Sequence, residues 1–331
     1  MLEENWIETQ GPVGVVNWTN EEGARFAWSM MGSGVWSGSV AEEGARGLRE
    51  VGGAEGERRT VGEELERMGI RKGRNGVVDA SWETGVKMGA HFELHIEQGP
   101  HLVEAGEKVG VVEGVQAYRW YEVEFQGRDC HSGTTSFEHR ADALLAAARA
   151  IVEVRALAEG VGNGALASVG IVEAKPGSVN TVPGYVRMSL DLRCPNEKTL
   201  EELEAKVLQS LQSTGGQVHS HRRSVRAEVK ETFRSGAVRF QTAAVDCVEA
   251  AASNVLRSAG AAQGRRLMRR MTSGAGHDSV FASKRCPTAM IFVPCKDGVS
   301  HHPEEWCEED DCAIGASVLT EAVLRYDQTR R

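Results

Sequence analysis

The sequence predicts an α/β protein in two parts, with a β-α-β-β-α-β unit inserted into a second domain. Three observations carry this. The chain has 331 residues, enough for a large core and, as a prior, for two domains. Between about 117 and 230, strand-like alternation and two amphipathic helices follow one another in the order of a ferredoxin-like unit. Outside that region, apolar runs end in polar, glycine-bounded segments, as strands do at the ligand-bearing edge of open α/β sheets.

Taken in order, residues 11–20 read as a buried strand, Val13, Val15 and Val16 running into Asn17-Trp18-Thr19-Asn20, which places Glu21 and Glu22 at its C-terminal edge. Residues 39–90 are rich in Gly and Glu with helical patches such as Val61 to Met68. Trp120 to Phe125 alternates as a strand, and Asp142 to Leu157 is an Ala/Leu-rich helix. Ala165 to Glu173 and Tyr185 to Arg193 read as strands, Glu197 to Leu211 as a second amphipathic helix, and Val225 to Val229 as the last strand. The chain then returns to a helix (Thr242 to Ser258), a Gly-rich loop (Ser273 to Asp278), a strand (Thr288 to Val293), a histidine loop and a closing helix from Glu309 to Arg325. The expected domains are 1–115, 116–232 and 233–331, the first and last forming one body. Arg265, Arg266, Arg269 and Arg270 read as a solvated face.

Composition narrows the function. Hydrophobic residues at 41% and charged residues at 26% are ordinary globular values, and no apolar run approaches the length of a membrane span. Met1 to Gln10 carries Glu3, Glu4 and Glu8 without a basic region, so it does not read as a signal peptide. A net charge of -9 argues against nucleic acid as a partner. The seven cysteines are odd in number and lack C-x-x-C spacing, which argues against a disulfide framework or a zinc ribbon and fits a reducing cytoplasm.

Several distant segments carry chemistry. Glu21 and Glu22 are adjacent, so on a loop they point apart, one free to bind a metal while the other handles a proton. His95 lies in an apolar segment before the turn Gln98-Gly99-Pro100; it is either a core histidine or a ligand at a strand end. His301 and His302, between Gly298 and Pro303, sit on a loop that cannot be regular helix, and one of them is a credible imidazole ligand. His131, in Asp129-Cys130-His131-Ser132-Gly133, suits a proton donor or oxyanion stabiliser better than half of a Cys-His nucleophile, because adjacent residues diverge. Asn180 and Arg193 occupy strand ends of the inserted domain, and arginine offers a planar fork for a carboxylate.

These pieces together resemble the hydantoinase/carbamoylase family of M20-type amidohydrolases, which includes N-carbamoyl-L-amino-acid hydrolases and allantoate amidohydrolases. The matching motifs are NWTNEEGARF (17–26), ELHIEQGP (93–100), GVVEGVQ (110–116), HSGTT (131–135), NTVPG (180–184), DLR (191–193), SGAGHDS (273–279) and FVPCKDGVSHHPEE (292–305), in family order over essentially the whole chain. The resemblance implies a metallopeptidase-like catalytic domain carrying a dimerisation lid, and a homodimer. It implies two divalent cations, Mn or Zn, with Glu22 and His301 on one and His95 on the other. It makes Glu21 the general base, gives His131 a catalytic role and assigns Gln98, Asn180, Arg193 and His277 to the substrate. The reaction implied is hydrolysis of a linear ureido C–N bond in an N-carbamoyl amino acid or allantoate-like acid.

One departure bears on this. The family pattern begins with a Gly-Ser-His-Leu-Asp segment and a Tyr-Asp-Gly segment, which supply one His ligand and an Asp bridging both metals; the first histidine here is His91. Loss of a shared carboxylate under-coordinates both ions, so weak metal occupancy and impaired activity are expected. The competing expectations are an aminoacylase or peptidase of the same superfamily, and a non-catalytic dimerising relative.

Overall fold

The computed structural model describes residues 7–52, 56–70, 81–217, 224–258 and 267–329. The chain divides into two compact units, residues 1–115 with 239–331, and residues 116–238.

The first unit opens with three short helices, α1 (Met31–Trp36), α2 (Glu42–Arg46) and α3 (Val61–Arg67), followed by strand β1 (His91–Ile96), helix α4 (His101–Ala105) and β2 (Val109–Val115). Helix α3 starts where the sequence specifies: the Thr60 hydroxyl accepts from Glu63 N–H, and the Glu63 carboxylate accepts from Thr60 N–H, so two orphan donors are satisfied reciprocally. Helix α4 is begun from outside by Glu97, whose buried carboxylate accepts from His101 N at 3.0 Å and Leu102 N at 2.7 Å.

The second unit follows: β3 (Ala117–Gln126), β4 (Cys130–His131), α5 (Ala143–Val161), β5 (Leu166–Ser168), β6 (Val172–Lys175), β7 (Thr181–Val182), β8 (Tyr185–Cys194), α6 (Glu197–Gln217) and β9 (Arg226–Ser235). Strands β5, β8, β3 and β9 lie side by side, β6 also pairs with β8, and all these pairings are antiparallel. Alternate residues of β8 (Val186, Met188, Leu190, Leu192) are buried with Ala146, Ala150 and Val154 of α5 and Leu200, Leu203 and Val207 of α6 in one apolar cluster. The helices therefore cover one face of the sheet. The strand expected over Ala165 to Glu173 is broken in the middle, because the Ser189 hydroxyl takes the N–H groups of Gly170 (3.3 Å) and Ile171 (3.0 Å) out of the ladder.

Returning to the first unit, the chain forms β10 (Val238–Arg239), α7 (Thr242–Ser258), β11 (Met268–Ser273), α8 (Asp278–Ala282), β12 (Thr288–Val293) and α9 (Glu309–Gln328). The sheet runs β1-β12-β2-β10; β11 also pairs with β2. Strand β1 is parallel to β12, with His95 opposite Phe292. Every residue of β12 is buried. No helix among the described residues is long and apolar enough to cross a membrane.

One expectation fails. Residues 11–20 do not form a strand: Val15 is fully exposed and Val13 and Val16 are about half exposed. A valine run becomes a strand only where a neighbour takes its backbone groups. Here the backbone is tethered otherwise, with Gln10 N and Gly11 N donating to Asp327 at 2.6 and 3.0 Å. Glu21 and Glu22 accordingly sit on a loop rather than at a strand end. The expected solvated arginine face holds for its described half, on a strand: Arg269 and Arg270 lie on β11 with Arg270 exposed and Arg269 partly so, Arg269 paired with buried Glu107 and Arg270 with Asp246 and Glu249. Arg265 and Arg266 lie outside the described residues.

Candidate active site

In the first unit the carboxylates and imidazoles singled out above gather around Glu21. Its loop is held by side chain to backbone bonding. Asn20 adopts a left-handed conformation (φ 56°), which asparagine tolerates better than most residues. Its amide donates to Phe26 O at 3.0 Å and Trp28 O at 2.9 Å. Gly23 (φ 70°) follows, where a Cβ would lie 2.9 Å from Ser29 N. The loop closes when Met30 N donates to Glu21 O at 2.7 Å.

The Glu21 carboxyl is pushed up to about 7, first by burial, then by the charges of Glu22 and Asp278, with His95 opposing and Glu93 adding a smaller push. Asp278, which accepts from the Ser33 hydroxyl, is likewise raised to about 7 by burial. Glu93 is raised by burial although Ser279 donates to it from N (3.0 Å) and Oγ (2.7 Å). Three carboxyl groups around one point are thus raised above the ordinary carboxylate range, and each makes ionisation of the others costlier.

His95 lies near the C-terminal end of β1, and its Nδ1 bonds Ile96 O at 2.8 Å. A carbonyl only accepts, so Nδ1 carries a proton, and in the neutral ring Nε2 keeps its lone pair. The His277 ring packs against it with centroids 4.6 Å apart. His277 is 1% exposed; its Nε2 bonds Ser273 Oγ at 2.9 Å while its Nδ1 is buried without a partner. Burial, and then the neighbouring His95, hold it down to about 3, so it is neutral. His91 is held down to about 4 by burial and lies between Trp18 Nε1 and Ser279 Oγ, each at 3.3 Å.

The His301 loop meets the turn after β1. Gly298 (φ 68°) packs so closely that a Cβ there would fall 2.7 Å from Pro100 N. Gln98 (φ 57°) and His301 (φ 56°) are both left-handed, and Gln98 Nε2 donates to Ser300 Oγ at 3.0 Å. Glu305 accepts from Ser300 Oγ (2.8 Å) and His301 N (3.1 Å). His301 Nε2 lies 3.1 Å from the Glu22 carboxylate, both side chains being largely exposed.

The expected metal set was tested against this geometry. Glu22 and His301 face each other and His95 has a free Nε2, donors that suit Mn or Zn. Yet no group of three or more His, Cys, Asp or Glu side chains among the described residues is placed to hold one ion. These residues do not make up a complete two-metal centre.

In the second unit, His131 ends β4 and Asn180 lies in the turn before β7, the two joined by Ser132 N donating to Asn180 O at 2.9 Å. His131 Nδ1 accepts from Gly133 N (3.1 Å) and Thr134 N (3.3 Å), which leaves the proton on Nε2, a donor on an exposed side chain. Arg193 does not present an empty fork: its Nε lies 3.0 Å from both oxygens of Asp191, its Nη2 2.7 Å from one of them, and its guanidinium 5.1 Å from the Tyr118 ring centroid.

Sequence reasoning missed Asn20, Ser33, Glu93, Asp278 and Ser279. The signal for Asn20 was its place just before a pair of acids and a glycine. Glu93 and Asp278 looked like surface charge, since nothing local announces that a carboxylate will be buried.

The two units, one of them gathering acids and imidazoles beside a mixed sheet, describe an α/β protein with an inserted α+β domain. A model of peptidase family M20/M25/M40 matches residues 1–325. An N-carbamoyl-L-amino-acid amidohydrolase of Rhizobium meliloti is 35% identical over 319 residues, covering 96% of this chain and 70% of that protein. An allantoate amidohydrolase of Bacillus subtilis is 29% identical over 324 residues, 98% of this chain and 73% of that protein. The crystal structure of a hydantoinase/carbamoylase family amidase from Burkholderia multivorans superimposes with a TM-score of 0.83 at 34% identity, covering 98% of this chain and 73% of that one. The chain belongs to the M20/M25/M40 peptidase family, and its resemblance to the hydantoinase/carbamoylase amidases extends to fold and sequence.

Proposed function

We propose that this chain hydrolyses the ureido C–N bond of a small N-carbamoyl amino acid or allantoate-like acid, with Glu21 as the general base. The observation that carries the reading is the half-buried Glu21 carboxyl, raised to about 7 among Glu22, Asp278 and His95. A base poised near neutrality both takes and returns a proton efficiently. The names of the relatives in Rhizobium meliloti and Bacillus subtilis support the substrate class.

In this mechanism Glu21 removes a proton from water, and the hydroxide attacks the ureido carbonyl. His131 Nε2–H is the donor to the oxyanion. Glu21 returns the proton to the departing nitrogen, and the carbamic acid left behind splits into ammonia and carbon dioxide. Arg193 is assigned to the substrate's carboxylate, and Gln98, Asn180 and His277 are assigned to substrate binding. Glu22, His301 and His95 retain the chemistry of metal ligands, but their incomplete grouping supports no step through an ion. The same reading makes the chain a homodimer through its 116–232 region, to be checked by sedimentation.

The test is ammonia release from N-carbamoyl-L-amino acids and allantoate by the wild type and Glu21→Gln. Ammonia from the wild type alone supports the reading. Cleavage of acylated amino acids or dipeptides without ammonia would instead favour an aminoacylase or peptidase.

A further inference from the structure

The cysteines at the start of α9 have no part in the chemistry above. Cys307 directly precedes the helix cap Glu308, and Cys312 lies in the first turn, its N–H donating to Glu308 O at 3.0 Å. Their sulfurs are 3.4 Å apart. Cys312 is exposed and Cys307 partly so. The seven cysteines include Cys194, Cys286 and Cys295, which are buried.

This dithiol lies at the end of the loop that bears His301. Trp306, the residue before Cys307, accepts from Lys296 N at 2.8 Å, closing the 296–306 segment on itself. An open surface pocket of about 380 Å³ lies beside this loop, lined by Lys296, Asp297, Val299, Pro303 and Trp306. A loop held by a few hydrogen bonds opens at low free energy, so a covalent tie at its root alters its motion more than it would in a helix or sheet.

We propose that Cys307 and Cys312 form a reversible regulatory disulfide by exchange with an oxidised low-molecular-weight disulfide such as oxidised glutathione, and that this bond restrains the His301 loop. The Cys312 thiolate attacks one sulfur of the small disulfide, forming a mixed disulfide and releasing one thiolate. The Cys307 thiolate then attacks the Cys312 sulfur and expels the second. The two protons of the protein thiols end on the two released thiolates; the protein dithiol is oxidised by two electrons and the small disulfide is reduced to two thiols. The sulfurs need only close from 3.4 Å to the roughly 2 Å of a disulfide bond.

The order of attack follows from the surroundings. Cys312 meets solvent, while the Cys307 thiol is pushed up to about 12, first by burial and then by its contact with Cys312. Capping Cys312 in a mixed disulfide removes that second cause, while the sulfur to be attacked stays beside Cys307.

The test equilibrates the full chain in glutathione buffers of graded potential, alkylates the remaining thiols and weighs the peptide holding both cysteines. Loss of both labels together with loss of two hydrogens is expected in the wild type, and a persistent glutathione adduct on Cys312 in Cys307→Ser. Hydrogen exchange of the 296–306 amides should slow at least threefold on oxidation in the wild type and not change in the Cys307→Ser, Cys312→Ser double variant. Independent labelling of the two thiols, or separate adducts on each, overturns the exchange. A bond that forms without slowing the loop overturns the restraint. None of these readouts depends on turnover, so they stand apart from the proposed hydrolysis.

Discussion

Asn20 offers the sharpest test of how the Glu21 loop is held. Replacing it with alanine removes two hydrogen bonds of ordinary length, to Phe26 O and Trp28 O, and a long one from Phe26 N at 3.4 Å. The two good bonds contribute about 1 kcal/mol each; the long one is left out of the sum. Alanine must also hold the left-handed backbone at φ 56°, which costs about 1 kcal/mol. The total is about 3 kcal/mol, or roughly a hundredfold in the equilibrium for local opening. Met30 N–H reports it, since it donates to Glu21 O across the loop, and its hydrogen exchange should accelerate about a hundredfold. Asn20→Gly relieves the backbone cost but not the lost bonds, so about 2 kcal/mol remains and the acceleration should be roughly thirtyfold. Exchange within threefold of wild type in Asn20→Ala, or a larger effect in Asn20→Gly than in Asn20→Ala, would refute the account.

Glu21→Gln should lower ammonia release by about 10²–10⁴-fold, the usual contribution of a positioned base, with little change in the urea unfolding midpoint. Arg193→Lys loses the planar fork and should raise KM for a carboxylated substrate by roughly ten- to hundredfold; an unchanged KM would remove Arg193 from the substrate. Gly298→Ala puts a Cβ against Pro100 N at a left-handed position and should destabilise the first unit by at least about 1 kcal/mol in urea titration. His91 is held down to about 4 by burial, so the unfolded chain binds its proton first as pH falls. Its contribution is therefore present above about pH 6.5, the ordinary histidine value, and is lost from there toward pH 4. The fall in unfolding free energy between pH 7.5 and 5 should be smaller in His91→Gln than in the wild type, and equal slopes would contradict a neutral buried His91.

Regular elements with self-sufficient patterns were legible in the sequence. Helix α7 spans Thr242–Ser258 as its spacing predicts, because Ala244, Val245, Val248, Ala251 and Ala252 form one buried stripe. Strand β12 spans Thr288–Val293, as expected of an uninterrupted apolar run buried on both faces. Residues 11–20 hold three valines and are not a strand, because β identity depends on a partner that the local sequence does not contain. Strand β11 was hidden for the opposite reason: Arg269 and Arg270 read as surface, which they are, and ion pairs to Glu107, Asp246 and Glu249 accommodate them on a paired strand that the charges do not announce. The residue types around Glu21 could be read from motifs. The burial of Glu93 and Asp278, which helps to raise Glu21, could not, since it arises from packing between segments nearly two hundred residues apart, as in the Ser279 to Glu93 bonds.

The group around Glu21 is supported by two kinds of structure with different resistance to opening. His95 stands on a strand paired in register with the wholly buried β12, so its position is lost only when the sheet is lost. Glu21, Glu22 and His301 stand on loops fixed by a few bonds, from Asn20 on one side and from Gln98 and Glu305 on the other. Three left-handed residues, Asn20, Gln98 and His301, sit in those loops, and each holds its conformation only while its bonds persist. Opening of either loop therefore costs a few kilocalories per mole rather than the free energy of the domain. It follows that substitutions in these loops can separate turnover from global stability, whereas substitutions in β1 or β12 should lower both together.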